Sequence, residues 1–429
     1  MHRMPDSNRI PTVSRVSSDT LVELVYNAAK HTTALAVSRF DGLWNIEQEV
    51  SIGTGELLVP YSPANNLITS GCVLLPSMPL EYGLKDELVA DIRAFLHRYV
   101  DLSPLFEQIA VHYVLLSWVH DAFGELPYLR LRGDYGTGKT RALHTIGSLC
   151  YRPFFASGAS TVSPIFHTLD SFGGTLVLDE ADLPYSDAKA DLVKILNNGT
   201  AKGMPVLRTI QNRYKEFNPY AFKVYGPKLI ATREPFQDIA LESRFFTEET
   251  YSRSLRPDIP IHLPASMKDE ALALRNRLLH FRFSEFFHIK TDPAAIIEGV
   301  ESRANQSALA LLSLVEDPAL RAEIQSWLKD KSADLARTRR EAPDACVLAA
   351  VIATFAEHAG GPAPVALVTK RFNADNADRF GPMSYRGIGA VLRGRLNLET
   401  KKTGGVFVVP ATERAKLQAL SHRYAIRDV

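Results

Sequence analysis

The chain has 429 residues, of which 46% are hydrophobic and 23% charged, and its net charge is +1. This length exceeds that of one ordinary domain, and the composition is typical of a soluble protein with sizeable buried cores. The three cysteines, Cys72, Cys150 and Cys346, are scattered and form no Cys-x-x-Cys pair. Such cysteine usage argues against a disulfide framework or a zinc site and indicates a reducing compartment, the cytoplasm.

Neither a signal peptide nor a membrane span is expected. Residues 1–20 have no apolar core, which a secretory signal requires. The most apolar window, residues 111–119 (VHYVLLSWV), is too short to cross a bilayer. This window therefore predicts a buried helix.

The first quarter of the chain predicts a tail and a small mixed region. Residues 1–18 are expected to be disordered. Residues 19–104 are expected to form a small α+β region, with a helix at 19–31, β structure at 33–75 and a helix at 84–99.

The rest of the chain predicts three further regions. In residues 105–260, short apolar runs alternate with helical segments, which indicates a parallel sheet flanked by crossover helices. Residues 261–340 have a purely helical pattern. Residues 341–429 predict helices followed by a hairpin. The fold class is therefore expected to be α/β, with a helical region and a small terminal domain after the sheet.

The first functional motif is the sequence GDYGTGKT at residues 133–140, which matches the phosphate-loop pattern G-x-x-x-x-G-K-[ST]. Its glycines allow the backbone to turn tightly, so that N–H groups point at phosphate oxygens. Lys139 would reach the β- and γ-phosphates of ATP, and the Thr140 hydroxyl would bind Mg²⁺. A glycine-rich turn is the alternative. The expected nucleotide-binding residues are Gly133, Asp134, Tyr135, Gly136, Thr137, Gly138, Lys139 and Thr140.

The second motif is GGTLVLDEAD at residues 173–182. Its apolar run predicts a buried strand that delivers two acids at its carboxyl end, the edge of a parallel sheet where ligands bind. Asp179 would hold Mg²⁺ through water, and Glu180 would orient and deprotonate the attacking water. An Asp-Glu turn that caps the next helix is the alternative. The location of Asp179, 39 residues after Thr140, favours the catalytic interpretation.

These motifs, together with a strand in GPKLIATRE that ends at Thr232 and the sequence ALESRFF around Arg244, resemble the core of AAA+ ATPases. More narrowly, the chain is similar to minichromosome-maintenance helicases and to primase-helicase ATPases of phages and mobile elements. The resemblance covers about residues 126–246. It implies a P-loop core with a helical lid, and a ring, expected to be hexameric, that binds ATP and Mg²⁺ at its subunit junctions.

The resemblance also implies roles for polar residues outside the two motifs. Thr232 takes the place of the first sensor, which reads the γ-phosphate, although Asn is more usual there and a plain strand-edge threonine is the alternative. Arg244 matches the arginine finger, which reaches the nucleotide of a neighbouring subunit; a structural ion-pair partner is the alternative. For the second sensor, Arg303 is the first candidate and Arg275 the second, and an ordinary helix-surface arginine is the alternative for both.

Residues 196–228 form a longer segment than a plain AAA+ core needs, and they predict two strands around a turn. In the resembling helicases, a hairpin at this place projects into the ring channel and grips DNA. Cations with aromatics, here Tyr214 and Phe217, suit a phosphate backbone and stacked bases, whereas a solvated loop is the alternative. The cations of this hairpin expected to contact DNA are Arg208, Arg213, Lys215 and Lys223.

The basic charge lies at the end of the chain, where residues 361–429 contain 12 Lys and Arg against five Asp and Glu, a net charge of +7. Three predicted helices and a hairpin are the pattern of a winged helix, whose third helix enters the major groove. This module also ends the resembling helicases. Docking of a protein, or a solvated basic face, is the alternative. The residues expected to meet DNA phosphates are Arg386, Arg393, Arg395, Lys401 and Lys402.

The sequence thus predicts an AAA+ ring motor that couples ATP hydrolysis to movement on DNA, a replicative helicase of a mobile element or prophage. One alternative is a DNA-dependent ATPase that initiates, loads or regulates without unwinding. Another is an AAA+ machine that acts on protein partners. No acid cluster of a polymerase or primase is recognisable, so a primase or initiator would be a separate partner.

Overall fold

The computed structural model describes residues 8–40, 43–52, 55–181, 187–211, 214–236, 238–250, 256–358, 360–424 and 426, without the side chains of residues 187–190 and 239. The chain divides into two compact units, Met1–Ser326 and Trp327–Val429. The division falls inside the helix Pro318–Arg340, which contributes residues to both units.

The first unit begins with two small sheets. Their strands are β1 (Arg9–Thr12), β2 (Ser14–Val16), β3 (Thr20–Asn27), β4 (Thr32–Arg39), β5 (Trp44–Glu47), β6 (Val50–Ile52) and β7 (Glu56–Pro60). Strands β2 to β5 form one sheet in chain order, and β1 and β6 flank β7 in the other. Leu24 and Leu35 are buried in the same hydrophobic core as Phe166 and Ile230, far along the chain. The two sheets are therefore an integral part of the first unit.

Two predictions for this region are wrong. Part of the expected tail forms β1 and β2, because neighbouring strands supply backbone partners: Arg9 pairs with Leu57, and Ser14 with Glu23. The helix expected at 19–31 is strand β3. Its apolar run is buried on both faces, since Leu21 and Val22 are only 0% and 2% exposed, and such runs favour a strand. Residues 1–7 lie outside the described part of the chain.

Three helices lead from these sheets to the centre of the unit. They are α1 (Asn66–Thr69), α2 (Lys85–Tyr99) and α3 (Pro104–Val119). Helix α3 is buried along almost its whole length, as the apolar window predicts, and its Tyr113 hydroxyl donates to the backbone oxygen of Lys228 (2.8 Å). Among the helices that the structure describes, none combines the length and apolar character needed to cross a membrane.

The centre of the first unit is a five-stranded parallel sheet. The strands of this part of the chain are β8 (Tyr128–Arg132), β9 (Phe154–Ser157), β10 (Leu176–Asp179), β11 (Val206–Gln211), β12 (Phe217–Phe222), β13 (Lys228–Thr232) and β14 (Phe245–Glu249). Five of them form the sheet in the order β14-β8-β13-β10-β9, and every neighbouring pair is parallel. Strands β11 and β12 form a separate antiparallel hairpin. The predicted parallel sheet is confirmed.

The helices between these strands return the chain to the end of the sheet at which the next strand begins, as parallel pairing requires. They are α4 (Lys139–Gly147), α5 (Val162–Phe172), α6 (Asp187–Asn198) and α7 (Ile239–Glu242). Thr232 pairs with Arg132, so β13 and β8 end side by side. Asp179 and Ser157 end β10 and β9 in the same way. The residues that follow these strands therefore lie close together, at the carboxyl ends of the strands.

Residues 261–340 are largely helical, with α8 (Ser266–Glu285), α9 (Ser302–Leu312) and α10 (Pro318–Arg340). Helix α8 carries a fully buried arginine, Arg282. Its guanidinium donates to Glu23 on β3 (2.8 Å) and, through two nitrogens, to Asp121 (2.6 and 2.7 Å). Burial alone would raise the pKa of Asp121, but Arg282 overcomes this effect and holds it below its usual value. This cluster ties the N-terminal sheet, the central region and α8 together.

The second unit is a small helical domain with a three-stranded sheet. Its elements after α10 are α11 (Pro343–Glu357), β15 (Ala363–Pro364), α12 (Val365–Phe380), α13 (Tyr385–Gly394), β16 (Lys401–Thr403), β17 (Val406–Val409) and α14 (Arg414–Arg423). The three expected helices and the hairpin are present, whereas β15 and α14 were not expected. Helix α14 is held by Leu417 and Leu420 in the unit's core.

The Arg282 cluster generates a stability prediction. We expect Arg282→Met to lower the free energy of unfolding by about 3–5 kcal/mol, because Glu23 and Asp121 would lose their buried countercharge. Arg98→Ala is a suitable control, since Arg98 forms an ion pair with Glu270 and its side chain is 56% exposed; that change should cost less than about 1 kcal/mol. Urea unfolding followed by circular dichroism measures both, and equal losses would contradict the assignment.

Candidate nucleotide site

The loop at residues 133–140 connects β8 to α4 at the carboxyl edge of the sheet. Gly136 and Gly138 have φ of 70° and 84°, a left-handed conformation that favours glycine. Gly138 is the residue before the first turn of α4. The loop therefore leads into a helix N-terminus, whose free N–H groups and dipole suit a phosphate group.

Gly133 fixes the start of the loop against the neighbouring strands. Its N–H donates to the oxygen of Thr232 (3.1 Å). A Cβ atom at this position would lie 2.2 Å from the backbone oxygen of Thr250, so only glycine fits. The Thr250 hydroxyl also contacts that of Thr137 in the loop (2.8 Å). No sequence motif marks Thr250, and its role follows only from the pairing of β14 with β8.

Two side chains at the start of α4 are held by polar contacts. The Lys139 ammonium bridges the loop, with bonds to the oxygens of Gly133 (2.7 Å) and Asp134 (2.6 Å). The Thr140 hydroxyl donates to Asp179 Oδ2 (2.7 Å). A hydroxyl and a carboxylate oxygen in contact fit the oxygen ligands that Mg²⁺ prefers. The structure thus brings Thr140 and Asp179 together, as their predicted shared role demands.

Glu180 follows Asp179 in an unusual backbone conformation. Its φ is 52°, which is rare for a residue other than glycine and recurs at functional sites. Its N–H donates to Asp179 Oδ1 (2.9 Å), and its carboxylate lies 3.9 Å from Arg233. The Arg233 guanidinium lies over the ring of the loop residue Tyr135 (3.7 Å). Glu180 therefore lies at the same edge as the phosphate loop.

Thr232 ends β13, between the strand that leads into the loop and the strand that ends at Asp179. Its side chain is 1% exposed, and its hydroxyl oxygen has no hydrogen-bond partner among the described residues. A buried polar group without a partner costs about 1–3 kcal/mol. A phosphate oxygen would supply the missing bond; the sensor role of Thr232 stays a prediction.

Arg244 lies at the amino ends of the strands, opposite the carboxyl ends that carry the phosphate loop. It immediately precedes β14, whose first residue Phe245 pairs with Tyr128, the first residue of β8. The phosphate loop begins at Gly133, five residues after Tyr128, which is about 17 Å at the rise of a strand. The guanidinium donates to the backbone oxygen of Asn197 (2.8 Å) and to its side-chain oxygen. Arg244 is therefore not part of the phosphate site of its own chain.

The two candidates for the second sensor do not lie at the loop either. Arg303 is close enough to Arg244 for their charges to interact: burial lowers the pKa of Arg244, and Arg303 lowers it further. Arg275 is buried and donates to the oxygen of Ser148 (2.7 Å), just beyond the far end of α4. Burial lowers the pKa of Arg275 to about 10. The structure thus places Arg303 with the expected finger.

The hairpin β11–β12 departs from its prediction. Arg208 faces inward, where it binds Asp191 (2.5 Å) and lies over the ring of Phe166 (4.0 Å). Lys215, in the turn, and Lys223, at the base, are exposed, and Arg213 lies outside the described residues. The outward face of the strand pair carries no charge; its residues are Leu207, Thr209, Gln211, Phe217, Pro219 and Ala221. Arg208 therefore belongs to the face that packs on α5 and α6, where Asp191 is its ion-pair partner.

The second unit exposes all five cations expected to meet DNA. Helix α13 and its end carry three, and the hairpin β16–β17 carries two. Arg393 contacts Thr400 (3.2 Å), and Lys401 forms an ion pair with Glu399 (3.4 Å). The exposed cations are Arg386, Arg393, Arg395, Lys401 and Lys402.

Comparison with known proteins gives limited similarity. No protein-family model and no curated protein matches the chain. Among solved structures, it is similar to the apo C-terminal region of NrS-1, at 9% identity and a TM-score of 0.37, over 91% of this chain and 96% of that one. It is also similar to Cch of SCCmec type IV, described as an active helicase, at 13% identity and a TM-score of 0.34, over 95% and 96%. A third is a full-length MCM homolog from Methanopyrus kandleri, at 11% identity and 0.36, over 74% and 76%. Similarity this weak carries no conclusion about function.

Gly133 provides a test of the loop geometry. We expect Gly133→Ala to distort the loop, because the added methyl group overlaps Thr250, at a cost of about 1–3 kcal/mol. If the distortion is confined to the loop, affinity for a fluorescent ATP analogue should fall roughly 5- to 150-fold. Gly124→Ala is the control, since no heavy atom lies within 4 Å of its added Cβ. Wild-type affinity in the Gly133 variant would show that the loop is not built as described.

Proposed function

We propose that this chain is an ATP-hydrolysing motor of the AAA+ type that acts on DNA. The observation that carries the proposal is the meeting of three elements at one edge of the parallel sheet. These are the glycine-rich loop with Lys139, the contact of Thr140 with Asp179 (2.7 Å), and the buried hydroxyl of Thr232 without a partner among the described residues. An ATP triphosphate with its metal ion satisfies all three at once.

Each residue of this edge then has a defined task. The loop N–H groups and Lys139 bind the β- and γ-phosphates, and the Thr232 hydroxyl donates to a phosphate oxygen. Thr140 and Asp179 would hold Mg²⁺, which when bound neutralises charge on the transferring phosphoryl group. Glu180 orients the attacking water and accepts its proton.

We further propose that the chain works as a ring, with six subunits. The support is the location of Arg244 at the edge opposite the phosphate loop of its own chain. Such an arginine acts on a nucleotide only if a second copy presents its loop to that edge, as fingers supplied in trans do. Arg303, whose charge is close to that of Arg244, would belong to the same face.

DNA is the proposed substrate because the exposed cations concentrate on the second unit. Helix α13 and the hairpin β16–β17 form a winged-helix arrangement in which the helix would enter a groove and the hairpin would contact phosphates. Lys215 and Lys223 add exposed cations on the hairpin β11–β12. Unwinding during replication of a mobile element, and loading or regulation without unwinding, are both forms of this activity.

A second candidate function is an AAA+ machine that acts on protein. The uncharged outward face of the hairpin β11–β12 favours it, since Leu207 and Phe217 are 67% and 71% exposed. Leu207 and Phe217 lie at the two ends of this face, because Leu207 pairs with Ala221 and Phe217 with Gln211. Exposed apolar side chains on one uncharged face are typical of surfaces that contact other proteins.

DNA-stimulated hydrolysis separates the two candidates. We expect phosphate release from ATP to rise when single-stranded or duplex DNA is added, because the cationic surfaces couple DNA to the site. Stimulation should weaken steeply with salt, with a log–log slope of about −0.7 to −0.9 per contacted phosphate. Lys139→Ala should abolish hydrolysis with and without DNA. Hydrolysis that DNA leaves unchanged would favour the protein-directed machine, and normal turnover by Lys139→Ala would end the ATPase proposal.

Mixing of variants tests the ring. We expect Arg244→Ala to bind ATP normally and to lose at least about tenfold in kcat, since arginine fingers contribute about 10³–10⁵ to rates. Lys139→Ala subunits are inactive but keep their finger. A mixture of the two variants should regain hydrolysis, because an intact loop from one can face an intact finger from the other. If mixed rings form and no activity returns, Arg244 is not a finger.

A further inference from the structure

The end of helix α6 is the place where Arg244 is held. Three side chains bind backbone oxygens of its last turn and of the residue just after it, two from strands of the sheet and one from the residue before β14. The Tyr128 hydroxyl donates to Leu196 O (2.9 Å), and Arg244 donates to Asn197 O (2.8 Å). The Lys228 ammonium completes the set with Gly199 O (3.4 Å). The bonds to Leu196 and Asn197 occupy carbonyls that the end of a helix leaves without donors.

Asn197 holds Arg244 by its side chain as well. Its amide oxygen accepts a second bond from Arg244 Nη1, and its amide nitrogen donates to Asp238 Oδ2 (3.1 Å). The other oxygen of Asp238 accepts from the N–H of Ala240 (2.9 Å), at the start of α7. Because both ends of the amide are engaged, its orientation is fixed, with the oxygen toward Arg244.

The backbone that carries Arg244 is equally well anchored. Glu242, two residues earlier, is paired through both oxygens with buried Arg130 on β8 (2.6 and 2.6 Å). The Arg244 oxygen accepts from the N–H of Tyr128 (2.9 Å). The backbone of Arg244 is thus held in place, and the contacts with Asn197 determine the position of its guanidinium.

We infer that Asn197 is a positioning residue for Arg244, which it holds ready for the phosphate of a neighbouring subunit. The inference rests on the proposed function. Both bonds to Asn197 use Nη1, and no described residue accepts from Nη2 or Nε, so these donors stay available to an anion. An arginine side chain has many rotamers, and ordering it at the moment of contact is costly. Asn197 removes that cost in advance.

The chain supplies a matched control one residue away. Asn198 has the same side chain on the same helix, but its amide nitrogen donates to Lys194 O (2.9 Å) within α6. We expect Asn197→Ala to lower kcat roughly 2- to 10-fold, the range for ordering one long side chain, with an unchanged KM for ATP. Asn198→Ala should leave both constants at the wild-type value. Thermal unfolding and binding of an ATP analogue, measured for each variant, show whether the fold is retained.

Mixing distinguishes positioning from general damage. Asn197→Ala subunits have an intact phosphate loop and a poorly held finger, so Lys139→Ala subunits, whose finger is intact, should raise their rate. Arg244→Ala subunits should not, because they supply no finger. A variant damaged in its own phosphate site but with a working finger would instead behave like Lys139→Ala and regain hydrolysis with Arg244→Ala. Recovery with Arg244→Ala would therefore overturn the inference.

A second variant covers the case in which Asn197→Ala unfolds. Asp238→Asn keeps the acceptor for Ala240 but presents an amide nitrogen to that of Asn197, so it should release Asn197 and lower kcat in the same way. If Arg244→Ala is impaired while both variants turn over at the wild-type rate, the inference fails and the finger stands. If Arg244→Ala itself is fully active, the finger proposal fails, and the inference fails with it.

Discussion

The constraint on which the site depends is that all five strands of the central sheet run in one direction. Their carboxyl ends share one edge and their amino ends share the other. The phosphate loop, Asp179 and Thr232 each follow or end a strand, so the sheet gathers them from positions about 100 residues apart. Arg244 precedes a strand and therefore lies at the amino ends of the strands. The parallel direction of the strands thus separates the residues around the phosphate loop from Arg244, although the proposed chemistry needs both at one nucleotide.

Helix α6 ends where it meets Arg244, at the amino ends of the strands. Its 12 residues cover about 18 Å at the rise of an α-helix, from the region after Glu180 to the contact with Arg244. The last turn of α6 supplies the acceptors of Arg244, so a movement of this helix would move that arginine. The same helix packs against the inward face of the hairpin through Asp191 and Arg208.

Local patterns predicted which segments meet at the edge with the phosphate loop, whereas binding of a phosphate there stays a prediction. The loop, the acidic pair and the strand ending at Thr232 are short continuous motifs, and the parallel sheet brings them together whatever the loops between them contain. Strand β3 was mistaken for a helix because Leu21, Leu24 and Val25 also fit helical spacing, and only the strands paired on either side decide between the two.

The directions of single side chains could not be predicted in the same way. Arg208 alternates with exposed neighbours, so its direction depends on which face of the hairpin meets α5 and α6. Arg303 lies far from Arg244 in sequence, and nothing local indicates that the two come together. Thr250 and Asn197 belong to no motif. Thr250 reaches the loop through the register of β14 against β8, and Asn197 reaches Arg244 because α6 ends beside the residue before β14.

The buried cluster around Arg282 has a consequence for synthesis of the chain. Glu23 and its partner Arg282 are 259 residues apart. At translation rates of about 5–20 residues per second, Arg282 leaves the ribosome roughly 13–50 s after Glu23. During that interval the N-terminal strands carry a carboxylate that is destined for the interior and has no countercharge. The β structure at the start of the chain therefore cannot complete its packing as it emerges. It has to wait for helix α8, and the first unit reaches its native state only after most of its residues have been made.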